Sequence, residues 1–148
     1  MEVLDVYNEE GKRLNKKVFR GSNDQDFEKG EHFAVSVIFI ENSNGEFLIQ
    51  KTPKGKYTAT GGHVQSSEDP RNAIIRETKE ELGIDISNEK FVDLGFRVLD
   101  FPIRFLYYLK KDYDINDFHL QKSEVESVSY MSVYDIYKLI EENNYWEQ

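Results

Sequence analysis

The amino-acid sequence predicts an α/β fold in which helices pack against a central mixed β-sheet. The first observation is the length, because 148 residues suit one domain with its own core. The second is the composition, since 39% hydrophobic and 14% aromatic residues are too many for a disordered chain. The third is the patterning, which indicates two helices among about seven short strands, as in a sheet packed by helices. We expect a single domain over residues 1–148.

Residues 1–30 are interpreted as a strand, a turn and a strand that extend this domain. The two strands are predicted at residues 3–7 and 17–20, on either side of an Asn-Glu-Glu-Gly turn. Stronger strands follow at residues 33–40 and 46–50, joined by an Asn-Ser-Asn-Gly turn. The first of these is nearly continuous in β-branched and apolar residues, which is typical of a strand covered on both faces.

The middle of the chain is predicted to form a loop and then a helix. Residues 51–64 contain Pro53 and several glycines, which favour a loop. A helix is predicted from Pro70 to Leu82. Its start is marked twice, because Asp69 is a good N-cap and a proline suits the first helical position. Gly83 suits the C-terminal cap.

The second half of the chain continues with strands and ends in a helix. Strands are predicted at residues 91–99, 103–109 and 125–131. The last helix is predicted to open at Ser132, where Asp135 completes a Ser-x-x-Asp capping pattern. Its apolar positions have helical spacing; they are Ile136, Leu139 and Ile140.

Charge and cysteine content exclude several classes of function. The chain has 19 Lys and Arg against 28 Asp and Glu, a formal net charge of −9. This charge argues against duplex nucleic acid or an anionic membrane as partner, because basic residues supply most of that affinity. The absence of cysteine rules out disulfides, thiolate metal sites and thiol nucleophiles. No targeting or membrane-spanning segment is visible, so we expect a cytoplasmic protein.

Three carboxylates crowd one side of the predicted helix. Glu77 lies at i,i+3 to Glu80 and at i,i+4 to Glu81, and each such like-charge pair costs about 0.2–0.5 kcal/mol. A divalent cation turns this repulsion into coordination, and hard oxygen ligands select Mg²⁺ or Mn²⁺. Arg76 precedes the cluster and is placed to hold a carboxylate by a bidentate pair. The alternative is a plain solvated helix face.

The wider pattern supports the metal interpretation. The segment Gly62-x5-Glu68-x7-Arg76-Glu77-x-x-Glu80-Glu81-x-Gly83-Ile84 resembles the Nudix box, G-x5-E-x7-R-E-U-x-E-E-x-G-U, where U is a bulky aliphatic residue. All seven fixed polar and glycine positions match. Thr78 departs from the pattern at the first aliphatic position; it is β-branched and still packs, so we expect a weaker core contact rather than lost chemistry. The order of elements also resembles a Nudix domain, an α/β/α sandwich with a central mixed sheet.

The Nudix resemblance implies a Mg²⁺-dependent hydrolase, with Mn²⁺ as a substitute. Its reaction cleaves the pyrophosphate linkage of a nucleoside diphosphate joined to another group. By position in the box, Glu77, Glu80 and Glu81 are metal ligands, and Glu77 or Glu81 relays the proton. Glu68 joins the cation shell through water or braces the loop, and Arg76 orients Glu77.

Two further groups of residues are candidates for substrate contact. Gly61 and Gly62 allow the backbone to approach the phosphates. Lys51, Lys54 and Lys56 lie in the loop before the box, where they contact phosphates or are ordinary surface lysines.

A base outside the box is common in the family. Glu124 and Glu126, at the last predicted strand, are the candidates, and an exposed strand edge is the alternative interpretation. A platform for base stacking is a further possibility among aromatic residues that are otherwise expected in the core; these are Phe33, Tyr57, Phe96, Phe101 and Phe105.

The N-terminal part, residues 5–20 with His32, is similar to the branch that contains isopentenyl diphosphate isomerase and its hydrolase relatives. Isomerases of that branch use a cysteine, so the isomerase reaction is disfavoured here. Two alternatives to a nucleotide hydrolase remain open: a prenyl or sugar diphosphatase, and a Nudix-like module that senses a nucleotide without cleaving it. The resemblance also implies a possible homodimer.

Overall fold

A mixed β-sheet forms the centre of the fold, with an α-helix near each face. The computed structural model describes residues 2–21, 26–98 and 101–146. Within these ranges there are nine strands and two α-helices. The elements are β1 (Val3–Tyr7), β2 (Arg13–Phe19), β3 (Ala34–Glu41), β4 (Phe47–Lys51), β5 (Tyr57–Thr58), β6 (Thr60–His63), α1 (Pro70–Leu82), β7 (Val92–Val98), β8 (Ile103–Lys110), β9 (Ser127–Met131) and α2 (Val133–Glu141), with a 3-10 helix at Ile115–Asp117.

The central strand β3 is where the sheet divides. One side of β3 pairs along its whole length with β8, in parallel. The other side pairs with β6 over residues 35–38 and meets β4 only where Glu41 opposes Phe47. Strand β4 then carries β5 and β9, while β7 lies beyond β8. The sheet therefore opens between β6 and β4.

The prediction of a loop over residues 51–64 was wrong, because this segment contains β5 and β6. Both strands are short, and two of the four residues of β6 are glycines. A side chain at Gly61 would overlap the backbone oxygen of Ser36 in β3, so glycine is needed for these two strands to approach. The pairing joins residues far apart in the chain, which a local reading of glycine-rich sequence does not detect.

Helix α1 has the predicted bounds, Pro70–Leu82. The Asp69 side chain accepts a hydrogen bond from the backbone N–H of Asn72, and Gly83 closes the helix at φ 75°. The buried stripe includes Ile74, Thr78 and Leu82, all fully buried. The Thr78 hydroxyl donates to the Ile74 carbonyl at 2.6 Å, so the polar group at the aliphatic position is satisfied inside the helix.

The main core lies between α1 and the sheet. Its buried residues are Ile38, Ile40, Leu48, Ile74, Leu82, Ile86, Phe91, Tyr107, Leu109 and Phe118. Side chains alternate along β3, so Val37 faces away from α1. Val37 lines a second cavity together with Ile136 and Ile140 of α2, which places the two helices near opposite faces of the sheet.

Helix α2 begins as predicted, because the Ser132 side chain accepts from the backbone N–H of Asp135. Of the three apolar positions with helical spacing, Leu139 is buried, whereas Ile140 is 54% exposed. No helix within the described part of the chain is long and apolar enough to cross a membrane.

The β1–β2 hairpin is tied to the loop before α1 by one buried carboxylate. Asp5 is 2% exposed and accepts hydrogen bonds from Lys17 Nζ at 2.7 Å, Ser67 N at 2.8 Å and Ser66 Oγ at 3.1 Å. The Ser66 N–H also donates to the Val3 carbonyl at 2.8 Å. Burial alone would raise the pKa of Asp5, but these hydrogen bonds and the Lys17 charge hold it below its usual value.

We expect Asp5→Asn to destabilise the fold by about 1.5–3 kcal/mol, the range for hydrogen bonds to a charged group. Because the folded-state pKa is lowered, this contribution is complete above the ordinary value of 3.8 and is lost as pH falls through the folded pKa. Urea unfolding of wild type and variant at several pH values measures the difference, which is largest near neutral pH. The matched control is Glu10→Gln in the exposed turn. Equal stabilities of wild type and Asp5→Asn at pH 7 would contradict the role of Asp5.

Candidate active site

A cavity of about 490 Å³ opens where the sheet divides. Residues of β4 and β5 line one side and β6 lines the other, while α1 contributes its acidic face. The lining also includes residues from both ends of the described chain. Its polar and aromatic members include Glu2, Arg20, Phe33, Gln50, Thr58, Gly61, Gly62, His63, Arg76, Glu77, Glu80, Glu81, Arg104, Gln121, Glu124 and Trp146.

Arg76 contacts three of the four glutamates of the acidic cluster. Its guanidinium makes a bidentate pair with Glu68, Nε to Oε2 at 2.7 Å and Nη2 to Oε1 at 3.0 Å. Nη1 donates to Glu77 Oε1 at 3.0 Å and approaches Glu80 Oε2 at 3.3 Å, and Nη2 donates to the His63 carbonyl at 3.0 Å. The hydrogen bond to Glu68 and the charges of Glu77, Glu68 and Glu80 raise the pKa of Arg76 above its usual value. The sequence predicted a bidentate pair, and the structure assigns it to Glu68.

Glu77, whose side chain is 14% exposed, and the buried Glu81 form a carboxylate pair beside Arg76. Glu81 is 7% exposed, and its Oε1 atom has no hydrogen-bond partner among the described residues. Burial and the neighbouring Glu77 charge raise the pKa of Glu81 to about 9. Burial also raises the pKa of Glu77, although the charge of Arg76 opposes this. Two carboxyl groups that lie this close together with little access to water favour a positive charge shared between them.

The fit of a metal ion to these residues is partial. Among residues 2–21, 26–98 and 101–146, no three His, Asp or Glu side chains are arranged to hold one ion. Glu80 is about half exposed and reaches Arg76, and Glu68 is fully engaged by Arg76. The unpartnered oxygen of Glu81, next to Glu77, nevertheless has the chemistry of a hard-cation site. Glu77 and Glu81 are therefore the residues best placed to hold a divalent cation.

Two glycines of β6 leave room for this carboxylate pair. A side-chain carbon on Gly62 would lie 2.5 Å from Glu77 Oε1 and 2.7 Å from Oε2. One on Gly61 would meet the backbone of β3, including Val37 Cα at 3.0 Å. Both residues line the cavity. Gly62 thus keeps space open for a carboxylate, while Gly61 allows two strands to approach.

The loop that carries Glu124 rests on the end of α1. The backbone N–H groups of His119 and Gln121 donate to the carbonyls of Leu82 and Glu81 at 2.9 and 3.1 Å. These bonds satisfy carbonyls left unpaired at the helix terminus. The Glu124 N–H then donates to the Gln121 carbonyl at 2.9 Å. The loop therefore brings Glu124 to the cavity and fixes it relative to α1.

Three other sequence candidates lie elsewhere. Lys56 Nζ donates to the Asn143 carbonyl at 2.6 Å, and Lys51 Nζ faces Glu126 at 3.6 Å. Neither lysine is among the residues that line the cavity, and their contact with phosphates stays a prediction. Glu126 shares this position outside the cavity, so the structure separates it from Glu124.

Sequence reasoning missed several residues that line the cavity. Arg20 and Arg104 supply positive charge, but they come from β-rich segments far from the box and carry no local signal. Of the five aromatic candidates only Phe33 lines the cavity, where it stacks on His63 with ring centroids 5.3 Å apart. Burial and the charge of Arg20 lower the pKa of His63 to about 4, so this imidazole is neutral at pH 7. Trp146 also lines the cavity, and no motif in its segment marks it as a site residue.

Comparison with known proteins decides the family. A family model described as the NUDIX domain matches residues 30–147, from just before β3 to the C-terminal segment. The chain belongs to the Nudix family. Its α/β fold and its acidic box are therefore those of a Nudix domain, as predicted. Membership supports a hydrolase acting on phosphorus-containing anhydrides.

Similar proteins fall into two groups by the share of their length that matches. An uncharacterized Nudix hydrolase of Listeria innocua is 32% identical over 146 residues, covering 89% of this chain and 80% of that protein. The NAD-capped RNA hydrolase NudC of Pseudomonas putida is 25% identical over 104 residues, or 68% of this chain. This chain spans 37% of that relative's length.

The crystal structure of the Deinococcus radiodurans protein DR0079 aligns with a TM-score of 0.82 at 20% identity. The alignment covers 99% of this chain and 92% of that one, so the two proteins share the fold. The Nudix family match begins after the β1–β2 hairpin. The similarity of that hairpin region to the isopentenyl diphosphate isomerase branch therefore stays a prediction.

We expect Gly62→Ala to impair the site while sparing the fold. The added carbon meets the far end of the flexible Glu77 side chain, which moves away and leaves Glu81. Divalent-cation binding by calorimetry is then weakened, while the melting temperature stays near that of wild type. Gly61→Ala is the contrasting variant, because it meets the β3 backbone and costs about 1–3 kcal/mol of stability. Unchanged cation binding in Gly62→Ala would show that Glu77 is not a ligand.

Proposed function

We propose that this Nudix protein is a Mg²⁺-dependent hydrolase that cleaves the pyrophosphate linkage of a nucleoside diphosphate joined to another group. The observation that carries the proposal is the Glu77–Glu81 pair at the glycine edge of a large cavity, in which Glu81 is buried with one unpartnered oxygen. Such a pair is costly without a cation, and the family acts on diphosphates. Residues 1–148 act as one domain, with the β1–β2 hairpin as part of its cavity wall.

The cavity has to neutralise a multiply charged anion on a protein whose net charge is −9. Arg20 and Arg104 line it and add positive charge, and guanidinium groups suit phosphate oxygens; Arg20 Nη1 also donates to Glu2 Oε2 at 3.0 Å. Glu77 and Glu81 would hold the cation, whereas Glu80 faces Arg76, with Nη1 at 3.3 Å from its Oε2, so its role as a third ligand stays a prediction. When bound, Mg²⁺ supplies a Lewis acid and acidifies its bound water. Glu68 acts as a brace, since Arg76 holds both of its oxygens.

Glu124 is the best-placed general base outside the box. It lines the cavity from a loop whose backbone is hydrogen-bonded to the end of α1, so its backbone is anchored near Glu81. A base must lie within hydrogen-bond reach of the attacking water, and the anchored loop keeps Glu124 at the cavity. Glu81 or Glu77 relaying a proton is the alternative that the box resemblance implies.

A nucleotide is the favoured substrate class. The Pseudomonas relative is named for hydrolysis of NAD-capped RNA, and NAD is a dinucleotide joined through a pyrophosphate. A prenyl or sugar diphosphate is the second candidate, because the hairpin with the isomerase-like sequence contributes Glu2 and Arg20 to the cavity. The non-catalytic sensing module is disfavoured, because all box carboxylates are retained.

Wild-type protein with Mg²⁺ is expected to release mononucleotide or phosphate from members of a panel that includes ADP-ribose, NAD and dinucleoside polyphosphates. Glu81→Gln preserves shape but removes a ligand charge, and we expect turnover to fall by roughly 100-fold or more. Glu141→Gln, on the exposed face of α2, is the matched control and keeps wild-type activity. Equal turnover by wild type and Glu81→Gln would remove the proposed mechanism. Chromatography of the products measures the rates.

A second pair of variants tests the base. We expect Glu124→Gln to lower kcat by about 10²–10⁴-fold, the range for a positioned acid–base group. Glu126 lies two positions further along the chain and pairs with Lys51 outside the cavity. The Glu126→Gln variant should therefore keep kcat within about twofold. Rates measured across pH add a second readout, because loss of a base removes a limb of the profile. Similar losses in both variants, or none in Glu124→Gln, would exclude Glu124 as the base.

A further inference from the structure

The segment after α2 returns to the cavity and is held there by the backbone. The Tyr57 N–H donates to the Asn144 carbonyl at 2.8 Å, and the Trp146 N–H donates to the Tyr57 carbonyl at 2.7 Å. Lys56 Nζ adds a hydrogen bond to the Asn143 carbonyl at 2.6 Å. Tyr145 thereby pairs with Tyr57 as a parallel neighbour of β5. The position of Trp146 is therefore fixed by strand-like pairing.

The indole of Trp146 is exposed although it lies against a cavity. Trp146 is 57% exposed and lines the same cavity as Glu77 and Glu81. Tryptophan is mostly buried in folded proteins, and an exposed ring at a cavity wall is available to a planar ligand. Within the described part of the chain no second aromatic ring stacks on it, whereas Phe33 is already stacked on His63 and packed against Phe101.

Strand register gives the spacing between the backbone of the Trp146 segment and the strand beside the carboxylate pair. Gln50 of β4 lies beside the Glu81 carboxyl group and pairs with Thr58 of β5. The segment of Trp146 is the next neighbour of β5, so it lies two strand spacings from β4, or about 10 Å. A nucleoside monophosphate spans a comparable distance from its base to its phosphate. A ligand with its phosphate at Glu81 can thus reach the indole with its base.

We propose that Trp146 binds the nucleobase of the substrate by stacking, which makes it the residue that selects nucleotides over prenyl or sugar diphosphates. This inference rests on the proposed function. Stacking is tolerant of base identity because every base has a π-face. The site therefore distinguishes substrates with a base from substrates without one, and discriminates weakly among adenine, guanine and the pyrimidines.

The chain contains a single tryptophan, so its fluorescence reports directly on this residue. Wild-type protein is titrated with AMP and with ribose 5-phosphate in the presence of Mg²⁺, two ligands that differ only in the base. Excitation at the red edge of the indole band avoids both tyrosine and adenine. We expect AMP to quench the emission and ribose 5-phosphate to leave it unchanged. Saturating AMP without quenching would overturn the proposal, whether or not the protein hydrolyses any substrate.

Kinetics with the best nucleotide substrate supply the second test. We expect Trp146→Ala to raise KM roughly 10- to 100-fold with kcat within a few-fold of wild type, and Trp146→Phe to restore most of the loss. The control is Tyr134→Ala, which removes an aromatic side chain that is 65% exposed on α2 and outside the cavity lining. Melting temperatures equal to wild type confirm that the variants fold.

The outcomes separate the two proposals. If wild type turns over nucleotides and Trp146→Ala matches Tyr134→Ala in KM, the stacking role is wrong while the proposed function stands. If Trp146→Ala loses equal activity on a prenyl diphosphate, the residue does not recognise a base, and the stacking proposal is again overturned. If no diphosphate is hydrolysed under any divalent metal, the proposed function fails, and the AMP titration still decides whether Trp146 binds a base.

Discussion

The guanidinium of Arg76 is the interaction on which the acidic site depends. Helix α1 carries Glu77, Glu80 and Glu81 within little more than one turn, an arrangement that repels itself. Arg76 offsets this repulsion by contacting Glu77 and Glu80 directly and by fixing Glu68 in the preceding loop. The same group binds the His63 carbonyl, which joins the helix to β6. The Arg76 guanidinium thus links the helix, the loop and the strand that surround the site.

The positive charge of Arg76 does not offset the repulsion at Glu81 in the same way. That carboxyl group is turned inward, next to Glu77, where its charged form is disfavoured by burial. The cluster therefore has two parts, an outer part neutralised by arginine and an inner part that is not. The sequence-based interpretation, that a divalent cation turns the repulsion into coordination, stays a prediction for the inner part. The outer part is stable as an arginine–carboxylate network.

The sequence predicted the features whose signals lie close together in the chain, and it missed those that depend on contacts between distant segments. The bounds of α1 were predictable because Asp69, Pro70 and Gly83 act within a turn of the helix ends. The family was predictable because the box residues have fixed spacing. Strand β6 was not, because its glycines are explained only by neighbours distant in the chain, Gly61 by the β3 backbone and Gly62 by Glu77. Arg20, Arg104 and Trp146 reach the cavity from distant segments, and no local pattern encodes that convergence.

The hydrogen bonds between the β1–β2 hairpin and the loop that joins β6 to α1 have a consequence for ligand affinity. Ser67 has φ 66°, a backbone conformation that costs free energy for a residue with a side chain, and Asp5 accepts its N–H. The loop that leads to Glu68 is thus set in one shape during folding. Pre-organisation of this kind means that ligand binding need not freeze a mobile loop, so less of the interaction free energy is lost to ordering.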